Sequence, residues 1–264
     1  MKQRVISAIV MIAIAACCIP FFYSRVLLFG FISLTCAYEL CINFDRKLNI
    51  KVAAWVLYVY LVVQVFLALT HCGIMAYFAW YAFAVCLALL SGILRKDIQG
   101  LGAVYTLAAL SYPCFPAAMC ILISVSARWA QTYALALLAP VCCDTFALLG
   151  GMKFGKHKLA PNVSPSKTIE GSVIGGVMSV LAGVVVWYVS RWFLPIPFVP
   201  CIVTAFAAST AGQIGDLAES LIKRYLGVKD TSDLIPGHGG MLDRVDSLLF
   251  AAPAAYFCLY AFGL

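Results

Sequence analysis

The amino-acid sequence predicts an all-α integral membrane protein of about nine transmembrane helices, and three observations carry that expectation. The chain is 64% hydrophobic and only 11% charged, with a mean hydropathy of +1.00. A soluble domain runs at about 45–50% apolar and about 25% charged. No soluble core of 264 residues could hide so much apolar surface, so the solvent must be lipid. The apolar residues also come in nine runs, near residues 5–23, 26–43, 52–70, 74–94, 101–126, 130–150, 171–192, 198–222 and 245–263. Each is close to the ~20 residues a helix needs to cross a bilayer. Finally, fifteen of the 18 Lys and Arg fall on one side of this nine-span arrangement, leaving only Arg25, Arg128 and Arg191 on the other. Positive charge stays cytoplasmic. The N-terminus is therefore expected inside and the C-terminus outside.

The first run follows Met1-Lys-Gln-Arg4. Ile14-Ala-Ala-Cys17 within it has the form of a lipoprotein cleavage box, but the run continues past Cys17 and is long enough to span. Little room separates it from the second run at Arg25-Val26, so these two helices should form a tight hairpin. The twelve cysteines are scattered through apolar runs with no CxxC and no Cys/His zinc spacing, which reads as small buried hydrophobes. The net charge of +7 arises from Lys and Arg between apolar runs. It is a topology signal, and no nucleic-acid partner is expected. His71 sits in a short outer loop. No internal repeat or soluble domain is apparent, so residues 1–264 read as one polytopic membrane domain. Its two polar loops, 151–170 and 223–244, both face the cytoplasm on this reading.

Chemistry concentrates around those loops, in residues 212–246 and 144–171. From Gly215 to Asp246, carboxylates, cations, a histidine and glycines crowd beside the membrane, where an ionisable group at the bilayer centre costs roughly 2.5–3.5 kcal/mol. If the preceding helix runs to about Arg224, Asp216, Ser220 and Lys223 share one face, with Glu219 beside them. Pro236-Gly-His-Gly-Gly240 cannot be regular helix. Asp243 and Asp246 follow it, at the start of the last run. Carboxylates on both sides of a glycine turn suit a hard divalent cation bound to phosphates.

The second constellation starts with Asp144, inside an apolar stretch, where helix packing is the alternative role. Lys153, Lys156, Lys158 and Lys167 supply ammonium charge, with topology anchoring as their alternative, and His157 adds to the basic loop. Ser164, Ser166 and Thr168 supply hydroxyls. A helix starting near Thr168 would offer backbone N–H groups to an anion. Asn162-Val-Ser164 is a formal glycosylation sequon on the cytoplasmic side.

The ordered set Ser220-Leu-Ile-Lys-Arg, Lys229-Asp230, Pro236-Gly-His-Gly-Gly and Leu242-Asp-Arg-Val-Asp246 resembles the signature of the phosphatidate cytidylyltransferases, the integral-membrane CDP-diacylglycerol synthases. Asp144-Thr145, Phe154-Gly-Lys-His-Lys-Leu-Ala-Pro and Ser164-Pro-Ser-Lys-Thr-Ile-Glu-Gly171 resemble the same family, as does the opening Lys-Gln-Arg-Val-Ile-Ser-Ala. The family often has a small residue where Phe146 stands, an aromatic where Leu148 stands and a basic residue where Met152 stands. The first hundred residues match mainly in hydropathy.

The resemblance implies condensation of phosphatidic acid with CTP, giving CDP-diacylglycerol and pyrophosphate, in the bacterial inner membrane. It implies a two-metal centre around Asp216, Ser220 and Asp243, with Mg2+ as the main ion and K+ or another divalent as the second. Asp216, Asp243, Lys223 and Asp246 are then the catalytic candidates. Lys167, Ser166, Thr168, Asp144, Lys229, His238 and Arg244 are candidates for binding CTP or phosphatidic acid. The resemblance is compatible with a homodimer. Residue chemistry alone leaves open attack at the α-phosphate or transfer of the γ-phosphate. A CTP-dependent polyprenol kinase is therefore the nearest alternative, and a membrane transporter a more distant one.

Overall fold

The computed structural model describes residues 2–264. The side chains of residues 2–5, 8 and 99 lie outside the described set, including Lys2 and Arg4 of the charge count. The described elements are α1 (Lys2–Cys18), α2 (Phe22–Leu48), α3 (Ala54–Leu69), α4 (Ile74–Leu94), α5 (Gln99–Ala109), α6 (Phe115–Ile123), α7 (Trp129–Phe154), β1 (Lys158–Ala160), β2 (Ser164–Thr168), α8 (Ile169–Met178), α9 (Val180–Ser190), α10 (Phe198–Leu226) and α11 (Leu242–Ala261).

All nine apolar runs of the sequence are helical, but among the described residues six rods are long and apolar enough to cross a membrane. They are α2, α4, α5–α6 from Gly100 to Ile123, α7, α8–α9 from Ile169 to Ser190, and α10. At 16 residues α3 is only ~24 Å long, against a hydrocarbon core of ~30 Å. The apolar part of α1 is shorter still, Ile9–Cys18. In α11, Asp243, Arg244 and Asp246 fall in the opening turns. The α5–α6 rod is broken at Tyr112 (φ −149°, ψ 120°), the residue before Pro113.

The chain divides into two compact units. The first holds the residues up to Val125 together with Tyr225–Arg244. Its core gathers Leu40 of α2, Leu57, Tyr60 and Leu61 of α3, and Ile121 of α6, all fully buried. Arg25, 2% exposed, donates to the carbonyls of Ile19 (2.7 Å) and Ser124 (3.0 Å), tying the start of α2 to the end of α6. A cation counted as a topology signal thus has a structural role. The Ser7 hydroxyl of α1 reaches the Pro236 carbonyl at 2.8 Å.

The second unit holds Ser126–Arg224 and Val245–Leu264. Its centre is the packing of α8 against α7, which glycines permit. A methyl group at Gly171 would lie 2.6 Å from the Ala147 carbonyl, and one at Gly175 would lie 2.4 Å from that of Cys143. Before α8 the chain forms an antiparallel hairpin, β1 with β2, pairing Lys158 with Thr168 and Ala160 with Ser164. This hairpin departs from the purely helical expectation. Pro161, in its turn, and Pro165, in β2, each lack the N–H that a helix would use. The buried hydroxyls of Ser179 and Ser209, 2.9 Å apart, join the α8–α9 junction to α10.

Candidate active site

The second unit contains a cavity of about 390 Å³. Asp144 enters it from α7, Lys158 from β1, Ser166 and Lys167 from β2, and Gln213 and Asp216 from α10. The Lys167 ammonium contacts the Asp216 carboxylate directly. Ser220, one turn on, has its hydroxyl 3.5 Å from the same carboxylate. Thr168 also lines the cavity and caps α8, its hydroxyl accepting from the Gly171 N–H at 3.2 Å. Glycines keep this wall thin, since a Cβ at Gly151 would meet the Thr168 hydroxyl at 2.8 Å.

Glu170, in the first turn of α8, accepts from the backbone N–H groups of Lys156 (3.1 Å) and His157 (3.2 Å) and contacts the His157 imidazole at 2.6 Å. His157, expected to add to the basic loop, is thereby drawn to Glu170. Lys223, expected to share a face with Asp216, pairs with Glu219 at 2.6 Å. Asp246 accepts from the Ser247 N–H at 2.6 Å. The Asp246 carbonyl lies where a Cβ on Gly215 would approach to 2.6 Å, so α10 and α11 backbones meet closely there.

The first unit carries the glycine turn. Gly227 (φ +66°) ends α10 in the left-handed conformation usual at such a stop. Gly237 (φ +77°) and Gly239 (φ +82°) turn the chain so that Ile235 N–H donates to the Gly239 carbonyl at 2.9 Å. Lys229, Asp230, Asp233, His238 and Arg244 line a cavity of about 460 Å³ here. His238 Nδ1 is buried and finds no hydrogen-bond partner among the described groups.

Asp243 is built into this turn. Its Oδ2 accepts from the Thr231 N–H (2.8 Å), the Thr231 hydroxyl (2.9 Å) and the Gly240 N–H (2.8 Å). The bond to Gly240, three residues back, ties the start of α11 to the turn that precedes it.

Lys158, expected among the ammonium groups of the basic loop, lines the second unit's cavity. Sequence reasoning passed over two contributors. Gln213, one turn before Asp216, contacts both Ser172 and Cys143 Sγ, the latter at 2.9 Å. Its signal was a polar residue on the Asp216 face of an apolar run. Glu39 of α2, 1% exposed, holds the glycine turn from beneath. It is the one charged residue in the run 26–43, and that isolation was its signal.

In chemical terms the second unit's cavity presents hard oxygen donors and ammonium groups together, with no thiolate or imidazole among the lining side chains. Such a set suits a phosphate-bearing ligand and a magnesium-like cation, which takes one or two carboxylates and keeps its waters.

Comparison with known proteins agrees with this chemistry. A family model described as the cytidylyltransferase family matches residues 2–262. A phosphatidate cytidylyltransferase of Bacillus subtilis is 37% identical over 188 residues, covering 69% of this chain and 67% of that protein. One from Thermotoga maritima is 41% identical over 127 residues, 43% of each chain. The chloroplastic phosphatidate cytidylyltransferase 4 of Arabidopsis thaliana is 39% identical over 139 residues, 52% of this chain and 35% of its own.

Proposed function

The chain belongs to the cytidylyltransferase family, and from that premise we propose that it condenses phosphatidic acid with CTP to give CDP-diacylglycerol and pyrophosphate. The observation that carries the reading is the joint presence of Asp144, Asp216, Lys158 and Lys167 in one cavity of an apolar, helical protein. An oxygen of the lipid phosphate attacks the α-phosphorus of CTP. The bond from that phosphorus to the bridging oxygen breaks, and pyrophosphate leaves with the bonding pair. The lipid supplies the nucleophile, so no protein nucleophile is required.

Both reactants are anions, and the protein's first task is to suppress their repulsion. Lys158 and Lys167 place ammonium charge around the phosphates, with Ser166 and Thr168 as hydroxyl partners. Lys229, His238 and Arg244 serve the same end around the glycine turn. Asp216, Ser220 and Asp243 are the proposed holders of Mg2+ and of a second ion, with Asp246 three residues after Asp243 in the sequence. Bound there, the metal supplies charge neutralisation and orients the phosphates.

The α-phosphate chemistry is tested with CTP labelled at one phosphate. Purified protein given phosphatidic acid, Mg2+ and α-labelled CTP is expected to place label in chloroform-soluble lipid. γ-Labelled CTP should deliver label only to pyrophosphate. Transfer of γ-label to lipid would instead establish a kinase.

Lys167 provides a second test. Lys167→Ala is expected to lower kcat/KM for CTP by at least about tenfold, the scale of one lost charge-assisted contact. Lys47→Ala, on the exposed end of α2, should change it little. Equal, small effects would reduce Lys167 to a topology anchor.

The finer topology belongs to the same proposal: nine membrane passages in the bacterial inner membrane, with the N-terminus and the loops 151–170 and 223–244 cytoplasmic, where CTP is available. A reporter placed within 151–170 should read cytoplasmic, and one after Leu264 external. The same compartment for both would overturn this orientation.

A further inference from the structure

We propose that Glu39 is a positioning residue for the reaction, holding the 231–242 turn in the one geometry that presents Asp243 and the cavity beside it. The inference rests on the functional reading above only for what the turn does, not for how it is held.

Glu39 sits in α2, a candidate membrane span, at 1% exposure. A carboxylate there is tolerated only when fully hydrogen-bonded. Its Oε1 accepts from the Ser232 hydroxyl (2.6 Å) and the Met241 N–H (2.8 Å). Its Oε2 accepts from the Leu242 N–H (2.9 Å) and lies 3.1 Å from the Thr231 hydroxyl. All these donors belong to the two ends of the turn. Met241 and Leu242 stand at the start of α11, whose first N–H groups have no partner within the helix and carry the positive end of its dipole. One helical turn further along α2, the Asn43 amide donates to the Thr231 carbonyl at 2.7 Å. Thr231 in turn holds Asp243 through its N–H and hydroxyl. The linkage runs Glu39, Thr231, Asp243, every contact within hydrogen-bonding distance. Gly240 fits the same device, for a Cβ there would lie 2.7 Å from Glu39 Oε2 and 2.1 Å from the Thr231 hydroxyl.

The geometry is selective for glutamate. Both carboxylate oxygens face a backbone N–H, and a backbone N–H cannot turn round to accept. Glutamine, in either flip, must aim its NH2 group at one of them. Aspartate is one methylene too short to reach. A buried acid kept merely for helix packing would not require two acceptor oxygens.

The experiment compares full-length wild type with Glu39→Gln, and with Asp45→Asn as a control on an exposed position of the same helix. Backbone hydrogen exchange is measured in detergent micelles, and CDP-diacylglycerol synthesis is measured against Mg2+ concentration. In Glu39→Gln, exchange at Gly240, Met241 and Leu242 is expected to quicken at least about tenfold, with α7–α10 unchanged. kcat should fall at least about tenfold, and the Mg2+ concentration for half-maximal rate should rise. Asp45→Asn should match wild type in all three. Wild-type kcat and Mg2+ dependence in Glu39→Gln would overturn the proposal. So would faster exchange spread over the whole molecule, which marks general loosening. If wild type itself formed no CDP-diacylglycerol, the functional reading would fall while the exchange result still reported on the anchor.

Discussion

Asp216→Asn and Asp243→Asn are each expected to lower CDP-diacylglycerol synthesis by on the order of 10³-fold, the several kcal/mol that a correctly held cation contributes to such a transition state. Asparagine keeps the shape of aspartate and one carbonyl oxygen. At position 243 that oxygen can still accept from Thr231 N–H, Thr231 Oγ1 and Gly240 N–H, so the turn should survive. At position 216 the variant removes the charge that faces Lys167 and leaves the helix intact. Both variants should therefore reach the membrane in normal amount and elute as wild type does on size-exclusion chromatography. Initial rates over a range of Mg2+ check the effect. Substantial activity in both variants would remove these two carboxylates from the metal site.

Gly175→Ala is expected to produce a large loss of stability from a single added methyl. Its Cβ would lie 2.4 Å from the Cys143 carbonyl and 2.8 Å from the Ala147 Cβ, and backbone on the neighbouring helix cannot swing aside. The two helices must separate, at a cost of about 1–3 kcal/mol for overpacking of this kind. Activity should fall as well, because α8 carries the hairpin that bears Lys167. The next residue is an internal control. A Cβ on Gly176 meets its nearest neighbour, Phe206 Cε2, at an ordinary 3.5 Å, so Gly176→Ala should be nearly silent. Thermal unfolding of the two variants in the same detergent compares them, and equal melting temperatures would mean that the α7–α8 seam yields.

Helices and polar constellations were legible in the sequence for physical reasons. Apolar run lengths report the bilayer directly, and all nine runs are helical. Whether a helix is long enough to cross was less legible, since α3 stops at Leu69 and α11 carries three charges at its start. The break between Gly227 and Leu242 followed from proline and glycine, and the structure has no helix there. The β1–β2 hairpin was not legible, because Ser164-Pro-Ser-Lys-Thr168 has neither the alternation nor the β-branched content of a strand. Partners distant in sequence escaped as well. Nothing near Glu39 indicates a turn some two hundred residues later.

That last separation bears on how the protein is made. The Glu39 carboxylate finds the Met241 N–H across 202 residues. At synthesis rates of about 5–20 residues per second, roughly 10–40 s pass between the two leaving the ribosome. Throughout that interval α2 holds an acid whose donors do not yet exist, in a segment otherwise fit for lipid. The nascent helix must wait with that group in water or in the insertion machinery. Only when the glycine turn emerges can the first half of the chain settle.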